Sequence, residues 1–455
     1  MTERFVLWFD DRLGTAHFMK HALRKAFPDH WSFMLGEINL YSFLVLLATG
    51  TFLAFNFDPA PTKVVYHGPY ALLDGVTMST AYASALHLSF AVNAGLLIRQ
   101  IHHWAALLFV AGIVVHMARV FFTGAFRKPR ELNWLVGVVL FLLAMGEGFT
   151  GYSLPDDLLS GIGLRIADSV LLAIPFVGTW ASFLLLGGAF PNSNDIGPRL
   201  FAAHVFAVPA AIAAVIGVHL AILWRQKHSQ FRGPRRTEHN VVGSPLMPNY
   251  AAKSIALGFA TIAVLVALGA FVQINPIWIF GPYDASLAAS PAQPDWYVGW
   301  LDGALRISFP WSIHLWGHTI PSPFFPGVLL PLVLFGLLFG WPFIERAITG
   351  DRASHQLLDR PRDVPWRTGA GVALFMLALD LTLAGSGDVQ ARYLHLSVDT
   401  INVVYRFGFV VAPILGFIVA FALASELRRR GGVSAAERVR LRRNERGGFD
   451  EEKIT

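Results

Sequence analysis

Two long apolar stretches of the chain each carry two widely spaced histidines. The pairs are His102 and His116 in residues 95–122, and His204 and His219 in residues 198–224. Each stretch is long enough to cross a bilayer as a helix, which takes about 20 apolar residues. Because ionisable side chains are costly inside a membrane, their presence there indicates a functional site.

The spacing in the first stretch brings two histidines to one helix face at two depths. A helix turns about 100° and rises about 1.5 Å per residue. His102 and His116 are 14 positions apart, which leaves them within about 40° of each other and roughly 21 Å apart along the axis. Counting from His103 gives an offset of about 140°, so the spacing selects His102.

The second stretch repeats this arrangement with one extra residue. His204 and His219 are 15 positions apart, an offset of about 60° that a kink at Pro209 can absorb. Two helices with one histidine at each of two depths form two bis-imidazole sites, and histidine is a common axial ligand of haem iron. The alternative is four unrelated histidines hydrogen-bonded to their neighbours, which the two matched pairs disfavour.

The composition is that of an integral membrane protein, since 54% of the 455 residues are hydrophobic and 15% are charged. The chain has no cysteine, which excludes disulfides, cysteine-ligated iron–sulfur clusters and covalent haem attachment through C-x-x-C-H. Any haem is therefore held non-covalently, and any iron–sulfur or c-type centre belongs to another chain. The net charge of +6 comes from loop residues and does not indicate nucleic-acid binding.

Hydropathy predicts eight membrane-spanning helices. They cover residues 34–55, 95–122, 131–151, 198–224, 252–274, 325–345, 367–385 and 400–424. Lysine and arginine cluster before the first span and after spans two, four, six and eight, and they are sparse in the alternate loops. The positive-inside rule then places both termini in the cytoplasm. The predicted fold is an all-α integral membrane protein whose first four spans form a dihaem bundle.

The predicted organisation has five parts along the chain. They are an amphipathic N-terminal surface segment over 1–30, a four-helix dihaem core over 31–225, a cytoplasmic linker over 226–250, a C-terminal four-helix region over 251–428, and a charged cytoplasmic tail over 429–455 with a short helix at 434–446. The three long outer loops are apolar and aromatic, which favours ordered structure. Two of them are predicted to contain helices, at 77–90 and 156–174.

Glycines repeat the histidine spacing on two further spans. The pairs are Gly36 and Gly50 on span 1, and Gly137 and Gly151 on span 3, each 14 positions apart. Glycine lets another group approach a membrane helix closely. Either pair alone is equally consistent with helix packing. The period shared with the histidines favours two macrocycles packed against the backbone at two depths.

Charged residues inside or near the spans form two groups. Arg99, Arg119 and Arg199 lie close to the predicted ligands in sequence, near the ends of their spans. Arginine is the natural partner of a haem propionate, and interfacial snorkelling is the alternative for each of them. Within spans, Glu147 is either a proton relay or a hydrogen-bonded structural carboxylate, and Asp380 has no assigned role.

The chain resembles cytochrome b, the dihaem quinol-oxidising subunit of respiratory cytochrome bc complexes, over nearly its whole length. The resemblance is carried by the histidine pairs, the glycine pairs, GYSLP at residues 151–155 and PDWY at residues 294–297. The residues around the first histidine pair and the sequence GYSLPDDLLSG are similar to those of the actinobacterial branch in particular.

The resemblance implies two non-covalent b-type haems. A low-potential haem would lie between His102 and His204 near the outer face, and a high-potential haem between His116 and His219 near the cytoplasm. The four glycines and three arginines named above would complete the haem-binding residues. The low-potential site would adjoin the place where quinol is oxidised.

The resemblance also places a quinol-oxidation site between span 3, the loop after it and the PDWY loop. The catalytic residues would be Asp295, Tyr297 and Tyr152, and the other site residues Pro155, Pro294, Trp296 and Arg306. Many relatives have glutamate where this chain has Asp295, which is one methylene shorter, and tyrosine where it has Asp302. The acid would accept a proton from the quinol.

A quinone-reduction site would lie on the cytoplasmic side, near the second histidine pair. Trp224, His228 and Lys253 are its candidate residues. Mitochondrial relatives have a histidine in place of Trp224 and an aspartate in place of Ser254. The site in this chain therefore uses other groups or binds a different quinone.

The predicted function is that of the catalytic membrane subunit of a quinol–cytochrome c oxidoreductase in a bacterial plasma membrane. Quinol, which the resemblance suggests is menaquinol, gives one electron to a Rieske-type iron–sulfur subunit and one to the haems, contributing to proton-motive force. The implied partners are a c-type cytochrome subunit, a terminal oxidase in a supercomplex, a second copy of the chain and membrane lipid, with no nucleic acid. A dihaem membrane anchor of a dehydrogenase or reductase and a haem-free transporter are the alternatives.

Overall fold

Eight long helices dominate the computed structural model, which describes residues 7–8, 10–12, 14, 22–188, 190–191, 194–287, 293–315, 317–430, 439–443 and 449–453. Within these residues, spans 1 to 8 are Leu35–Ala54, Gly95–Phe122, Glu131–Tyr152, Ile196–Gln226, Leu246–Phe271, Phe325–Thr349, Pro365–Gly385 and Val398–Arg430. Each is long and apolar enough to cross a membrane. The eight predicted spans are confirmed, and their ends shift most at spans 5 and 8, where 252 becomes 246 and 424 becomes 430.

Large apolar side chains cover the outer surface of the bundle. Phe259, Leu332 and Phe407 are 70%, 64% and 69% exposed. Contiguous apolar surface of this kind is rare on soluble proteins, whereas lipid tails are as apolar as these side chains. The exposure therefore supports the membrane-spanning assignment.

The buried core lies between spans 1 to 4. It contains Phe43 of span 1, Phe109 of span 2, Val138 of span 3 and Ile212 of span 4, and Tyr297 reaches it from the segment before span 6. Span 5 packs on spans 1 and 2, and span 7 packs on spans 2 and 8. Span 4 packs on span 3, and the first histidines of spans 2 and 4 face each other.

Span 4 contains a wide turn beside its first histidine. Residues Ala203–Ala207 form a π-helical turn that includes His204, and Pro209 follows almost directly. Pro209 has no N–H to donate to the preceding turn, and a π turn accommodates one extra residue within a helix. The 15-residue spacing between His204 and His219 is thereby absorbed by a π turn, whereas the sequence suggested a kink at the proline.

Shorter elements connect the spans. Helices run over Thr80–Phe90, Leu158–Leu172, Gly178–Leu186, Ile277–Phe280, Trp296–Ile307 and Gly387–Leu394, with 3₁₀ turns at Trp31–Phe33, Ala71–Leu73 and Pro361–Asp363. Strand pairs form between Ala26–Phe27 and Ser244–Pro245, Lys63–Val65 and Thr77–Ser79, Gln230–Phe231 and Leu357–Leu358, and Ile313–Leu315 and His318–Ile320. The two predicted loop helices are present, although a strand takes the first residues of the one predicted at 77–90.

The two ends of the chain test the remaining boundary predictions. The helix predicted at 434–446 is wrong where the structure describes it, because Val439–Arg443 pairs antiparallel with Phe449–Lys453. Because the backbone N–H and C=O groups of Val439–Arg443 pair with those of Phe449–Lys453, they are not available for helical hydrogen bonds. Half of the predicted surface segment over 1–30 lies outside the described residues.

A buried ion network joins spans 6 and 7. The Arg367 side chain is 2% exposed and donates to both carboxylate oxygens of Glu345, at 2.9 and 2.5 Å, and to Asp359 at 3.1 Å. Arg127, in the loop after span 2, also reaches Asp359 at 2.9 Å. Since buried charges are tolerated only when they are paired, the network fixes these segments relative to one another.

Candidate functional site

His102 and His204 face each other across the space between spans 2 and 4. Their ring centres are 6.2 Å apart and their ring planes are inclined at 76°. A metal that bonds one imidazole on each side, with bonds of ~2 Å, holds two ring centres about 6 Å apart. His102 and His204 would therefore be able to hold one metal ion between them, whereas the neighbouring His103 points toward Asp295.

Each of the four predicted glycines lies against one of the four histidine rings. The distances from a Cβ built on the glycine to the ring would be 3.1 Å for Gly50 and His102, 2.3 Å for Gly151 and His204, 3.4 Å for Gly36 and His116, and 3.8 Å for Gly137 and His219. The glycines of spans 1 and 3 thus leave room for the imidazoles themselves. Their predicted contact with macrocycles stays a prediction.

The outer histidine pair is held by hydrogen bonds to spans 1 and 3. Nδ1 of His102 lies 2.9 Å from Oγ1 of Thr49, whose hydroxyl donates to the backbone of span 1. Nδ1 of His204 lies 3.1 Å from the backbone oxygen of Glu147 and 3.1 Å from its carboxylate. A proton on Nδ1 of each ring leaves Nε2 as the nitrogen that can bind a metal.

A cavity of about 240 Å³ extends from this outer pair toward the outer loops. The predicted quinol-site residues that line it are Tyr152, Pro155, Asp295 and Tyr297. Those that do not line it are Pro294, Trp296 and Arg306. One cavity therefore brings both outer histidines together with the PDWY acid.

Asp295 begins the helix Trp296–Ile307 and directs its carboxylate into the cavity. Its backbone oxygen accepts from the N–H of Val298 at 2.9 Å, whereas its side chain makes no capping hydrogen bond. The carboxylate instead contacts Nε2 of His103 at 3.0 Å. His103 is a site residue that sequence reasoning missed, because helical phase only rejected it as a ligand and its partner lies 192 positions away.

Two tyrosines complete the outer wall of the cavity. Tyr152 donates to the backbone oxygen of Leu159 at 3.0 Å. Tyr297 is 4% exposed, and burial beside Asp295 raises the pKa of its phenol well above the ordinary value, so the hydroxyl stays a donor. Next to them, Asp157 caps the helix Leu158–Leu172, and burial raises the pKa of Asp157 to about 6.

Arg306 anchors the PDWY segment from outside the cavity. Its Nε donates to Asp302 at 2.7 Å, and its Nη1 lies 3.0 Å from Asp388. Gln293 donates to the same Asp388 carboxylate at 2.9 Å. Burial raises the pKa of Asp302, and the adjacent guanidinium opposes that shift. Asp302 is thus a carboxylate paired with an arginine one helical turn away.

The three predicted propionate partners have different surroundings. Arg99 lines the cavity and donates to the backbone of Asn275 at 3.0 Å, and Arg119 lies over the ring of Phe33 at 4.4 Å. Both have a buried Nε with no hydrogen-bond partner in the described part of the chain, which suits an anionic ligand group. The Arg199 side chain is 46% exposed and lies outside the cavity. It donates to the backbone oxygen of Leu184, in the loop helix Gly178–Leu186.

An aromatic cluster surrounds Phe27 at the other end of spans 4 and 5. The ring centre of Phe27 lies 4.4 Å from that of His228, 4.6 Å from Tyr250 and 6.4 Å from Trp224. Burial lowers the pKa of His228 to about 4, and Tyr250 donates to Glu37 at 2.5 Å. Trp224 and His228 are thus brought together as predicted quinone-site residues, whereas Lys253 is half exposed and paired with Asp29 at 2.5 Å.

Comparison with known proteins identifies the family of the chain. A family model described as Cytochrome b(N-terminal)/b6/petB matches residues 107–282. The cytochrome bc1 complex cytochrome b subunit of Mycobacterium leprae is 51% identical over 421 residues, covering 92% of this chain and 76% of that protein. The chain belongs to the cytochrome b subunits of bc1 complexes. Counterparts in Streptomyces coelicolor and Corynebacterium diphtheriae are 48% and 49% identical, covering 94% and 92% of this chain and 78% and 77% of theirs.

The cytochrome b fold is also found in a solved structure. A chain of a hyperthermophilic respiratory Complex III matches with a TM-score of 0.66 and 21% identity, covering 91% of this chain and 99% of that chain. The resemblance drawn from the motifs, its actinobacterial character and the multi-pass membrane location are confirmed. Membership in cytochrome b implies b-type haem and quinone chemistry, so the dehydrogenase anchor and the haem-free transporter are not retained.

Proposed function

We propose that the chain oxidises quinol in its outer cavity and directs the two electrons to different acceptors. One electron goes to a Rieske-type iron–sulfur subunit, and the other crosses the membrane to a cytoplasmic-side site where quinone is reduced. The observation that carries the proposal is the single cavity lined by both outer histidines, Asp295 and Tyr297. When bound between the two histidine pairs, two b-type haems supply the electron path across the bilayer.

The residues of the cavity supply the proton chemistry of this reaction. Oxidation of the quinol releases one proton from each of its two hydroxyls, and Asp295 provides a carboxylate acceptor for one of the two within the cavity. His103 holds that carboxylate by a hydrogen bond at 3.0 Å. The Tyr297 phenol, kept protonated by burial, provides a donor toward the quinol. Release of these protons at the outer face contributes to proton-motive force.

The proposal extends to the cytoplasmic side and to the partner subunits. The cluster of Phe27, Trp224, His228 and Tyr250 forms the quinone-reduction site, and the carboxylate of Glu37 accepts a hydrogen bond from the Tyr250 hydroxyl beside it. A c-type cytochrome subunit accepts electrons from the iron–sulfur subunit, and a terminal oxidase and a second copy of the chain complete the assembly. Menaquinol is the quinol, in keeping with the actinobacterial relatives.

Replacing Asp295 with asparagine tests the proposal. The amide retains the shape of the side chain but cannot take up a proton, so we expect quinol-dependent turnover of the purified complex to fall about 100-fold, a magnitude typical of losing a general base. Steady-state reduction of cytochrome c, or oxygen uptake in an assembly with its oxidase, measures this. The haem spectrum should be unchanged.

Asp284 provides a matched control for this substitution. It lies exposed in the same outer segment, and within the described part of the chain its carboxylate accepts from the N–H and hydroxyl of Ser286. Asp284→Asn should leave turnover unchanged. If Asp295→Asn and Asp284→Asn behave alike, Asp295 is not the proton acceptor, and if the purified protein contains no b-type haem, the proposed function itself is wrong.

A further inference from the structure

The groups that face the Nδ1 atoms of the four histidines differ between the outer pair and the inner pair. In the outer pair, His102 faces the Thr49 hydroxyl and His204 faces Glu147. In the inner pair, Nδ1 of His116 is buried without a hydrogen-bond partner among the residues that the structure describes, and the neighbour of the His219 ring is the backbone of Asn133, which carries no charge. The two sites therefore differ in the charge and hydrogen bonding behind their predicted ligands.

Glu147 places a carboxylate behind one outer ligand only. Its Oε1 lies 3.1 Å from Nδ1 of His204, and the two side chains are 18% and 17% exposed. The backbone oxygen of Glu147 is also 3.1 Å from this nitrogen, and Oγ1 of Thr150 is 3.4 Å away. The second carboxylate oxygen, Oε2, is buried without a hydrogen-bond partner in the described part of the protein. The imidazole of His204 is thus the main polar neighbour of the Glu147 carboxylate.

We propose that Glu147 is a positioning residue that lowers the reduction potential of the outer haem through His204. The inference rests on the proposed role of His204 as an axial ligand. An imidazole bound through Nε2 carries its proton on Nδ1 and donates it to the carboxylate, which raises the basicity of the ligand. A negative charge behind the ligand also favours the oxidised iron, which carries one more positive charge than the reduced form.

The low dielectric of the membrane interior strengthens the effect of the Glu147 charge on the reduction potential of the outer haem. Charge interactions and hydrogen bonds are stronger at low dielectric than in water. Because the inner pair has no carboxylate behind either ring, the outer haem should hold an electron less tightly than the inner haem. An electron that enters from the outer cavity then moves toward the cytoplasmic side. The Glu147 carboxylate of span 3 in this way favours electron transfer from the outer haem to the inner haem.

Potentiometric titration of the Glu147→Gln complex tests the inference. The amide can still accept from Nδ1 but carries no charge, so the oxidised-to-reduced equilibrium of the outer haem should shift about tenfold toward the reduced form, which is ~59 mV for one electron. The inner haem in the same molecule is the internal control, and its potential should not move. An outer-haem potential that stays constant or falls overturns the inference.

Thr49→Val provides the matched control on the opposite ligand. It removes a neutral hydrogen-bond acceptor from His102 without removing a charge, so its shift should be smaller than that of Glu147→Gln. An equal or larger shift contradicts a role for the Glu147 charge. Loss of all b-type haem from the unmodified complex would instead refute the proposed function, so the two failures are distinguishable.

The unmodified protein offers a second measurement that needs no variant. Infrared difference spectra recorded across the two haem reductions should show a carboxylate band at the outer-haem step, and ¹³C labelling of glutamate should shift that band. The inner-haem step should lack it, since the charged and hydrogen-bonding neighbours of His116 and His219 among the described residues include no glutamate. A glutamate band that is absent from the outer step overturns the inference even if Glu147→Gln fails to assemble.

Discussion

Replacing Gly151 with alanine should remove the outer haem and leave the inner haem in place. A Cβ at this position would lie 2.3 Å from Cε1 of His204, closer than carbon atoms can approach. The ring cannot simply move aside, because its Nδ1 is held by Glu147 and its Nε2 must stay aligned with His102. The haem content of the purified protein, measured as the pyridine adduct, should fall from two per chain to one.

Another glycine on the same span provides the control. Alanine at Gly146 would meet nothing within 4 Å. This variant should keep two haems. The retained inner haem shows that the Gly151→Ala protein has folded, so its spectrum isolates the local effect. A Gly151→Ala protein with two haems at unchanged potentials would mean that the ring position does not depend on this glycine.

The spans and the ligand pairing were accessible from the sequence because the bilayer imposes strong patterns. A membrane helix has a minimum length, and on a regular helix the spacing of two residues decides whether they share a face. This was enough to select His102 over His103 as the residue that shares a face with His116. Phase alone did not explain the second pair. The π turn at Ala203–Ala207 depends on how backbone groups are satisfied beside Pro209, and a count of residues per turn assumes a regular helix.

Contacts between segments that are distant in the sequence could not be predicted from these patterns. Nothing near His103 indicates that Asp295 will be its partner, because the pair forms only when the outer helix Trp296–Ile307 packs over span 2. Arg199 shows the opposite case, since its closeness to His204 in sequence does not bring it into the cavity. The role of Glu147 was left open until the fold placed it against His204.

Replacing Glu345 with alanine should destabilise the folded protein by roughly 3–5 kcal/mol, the usual result of removing one partner from a buried ion pair. Glu345 and Arg367 are 4% and 2% exposed, and the guanidinium makes two of its hydrogen bonds to this one carboxylate. The variant leaves Arg367 buried with Asp359 as its remaining partner, which Arg127 already shares. Thermal unfolding in detergent, followed by haem absorbance at a fixed heating rate, should show a clear fall in Tm.

The exposed pair at the end of span 8 provides the comparison. Glu426 accepts from Arg430 at 2.6 Å, but that arginine is 77% exposed, and pairs of this kind contribute below about 1 kcal/mol. Glu426→Ala should therefore leave Tm nearly unchanged. A double variant, Glu345→Leu with Arg367→Met, should recover much of the lost stability, because it removes the Glu345 and Arg367 charges together while Asp359 keeps its pair with Arg127. Equal effects of Glu345→Ala and Glu426→Ala, or no recovery in the double variant, would show that desolvated charge is not what holds spans 6 and 7 together.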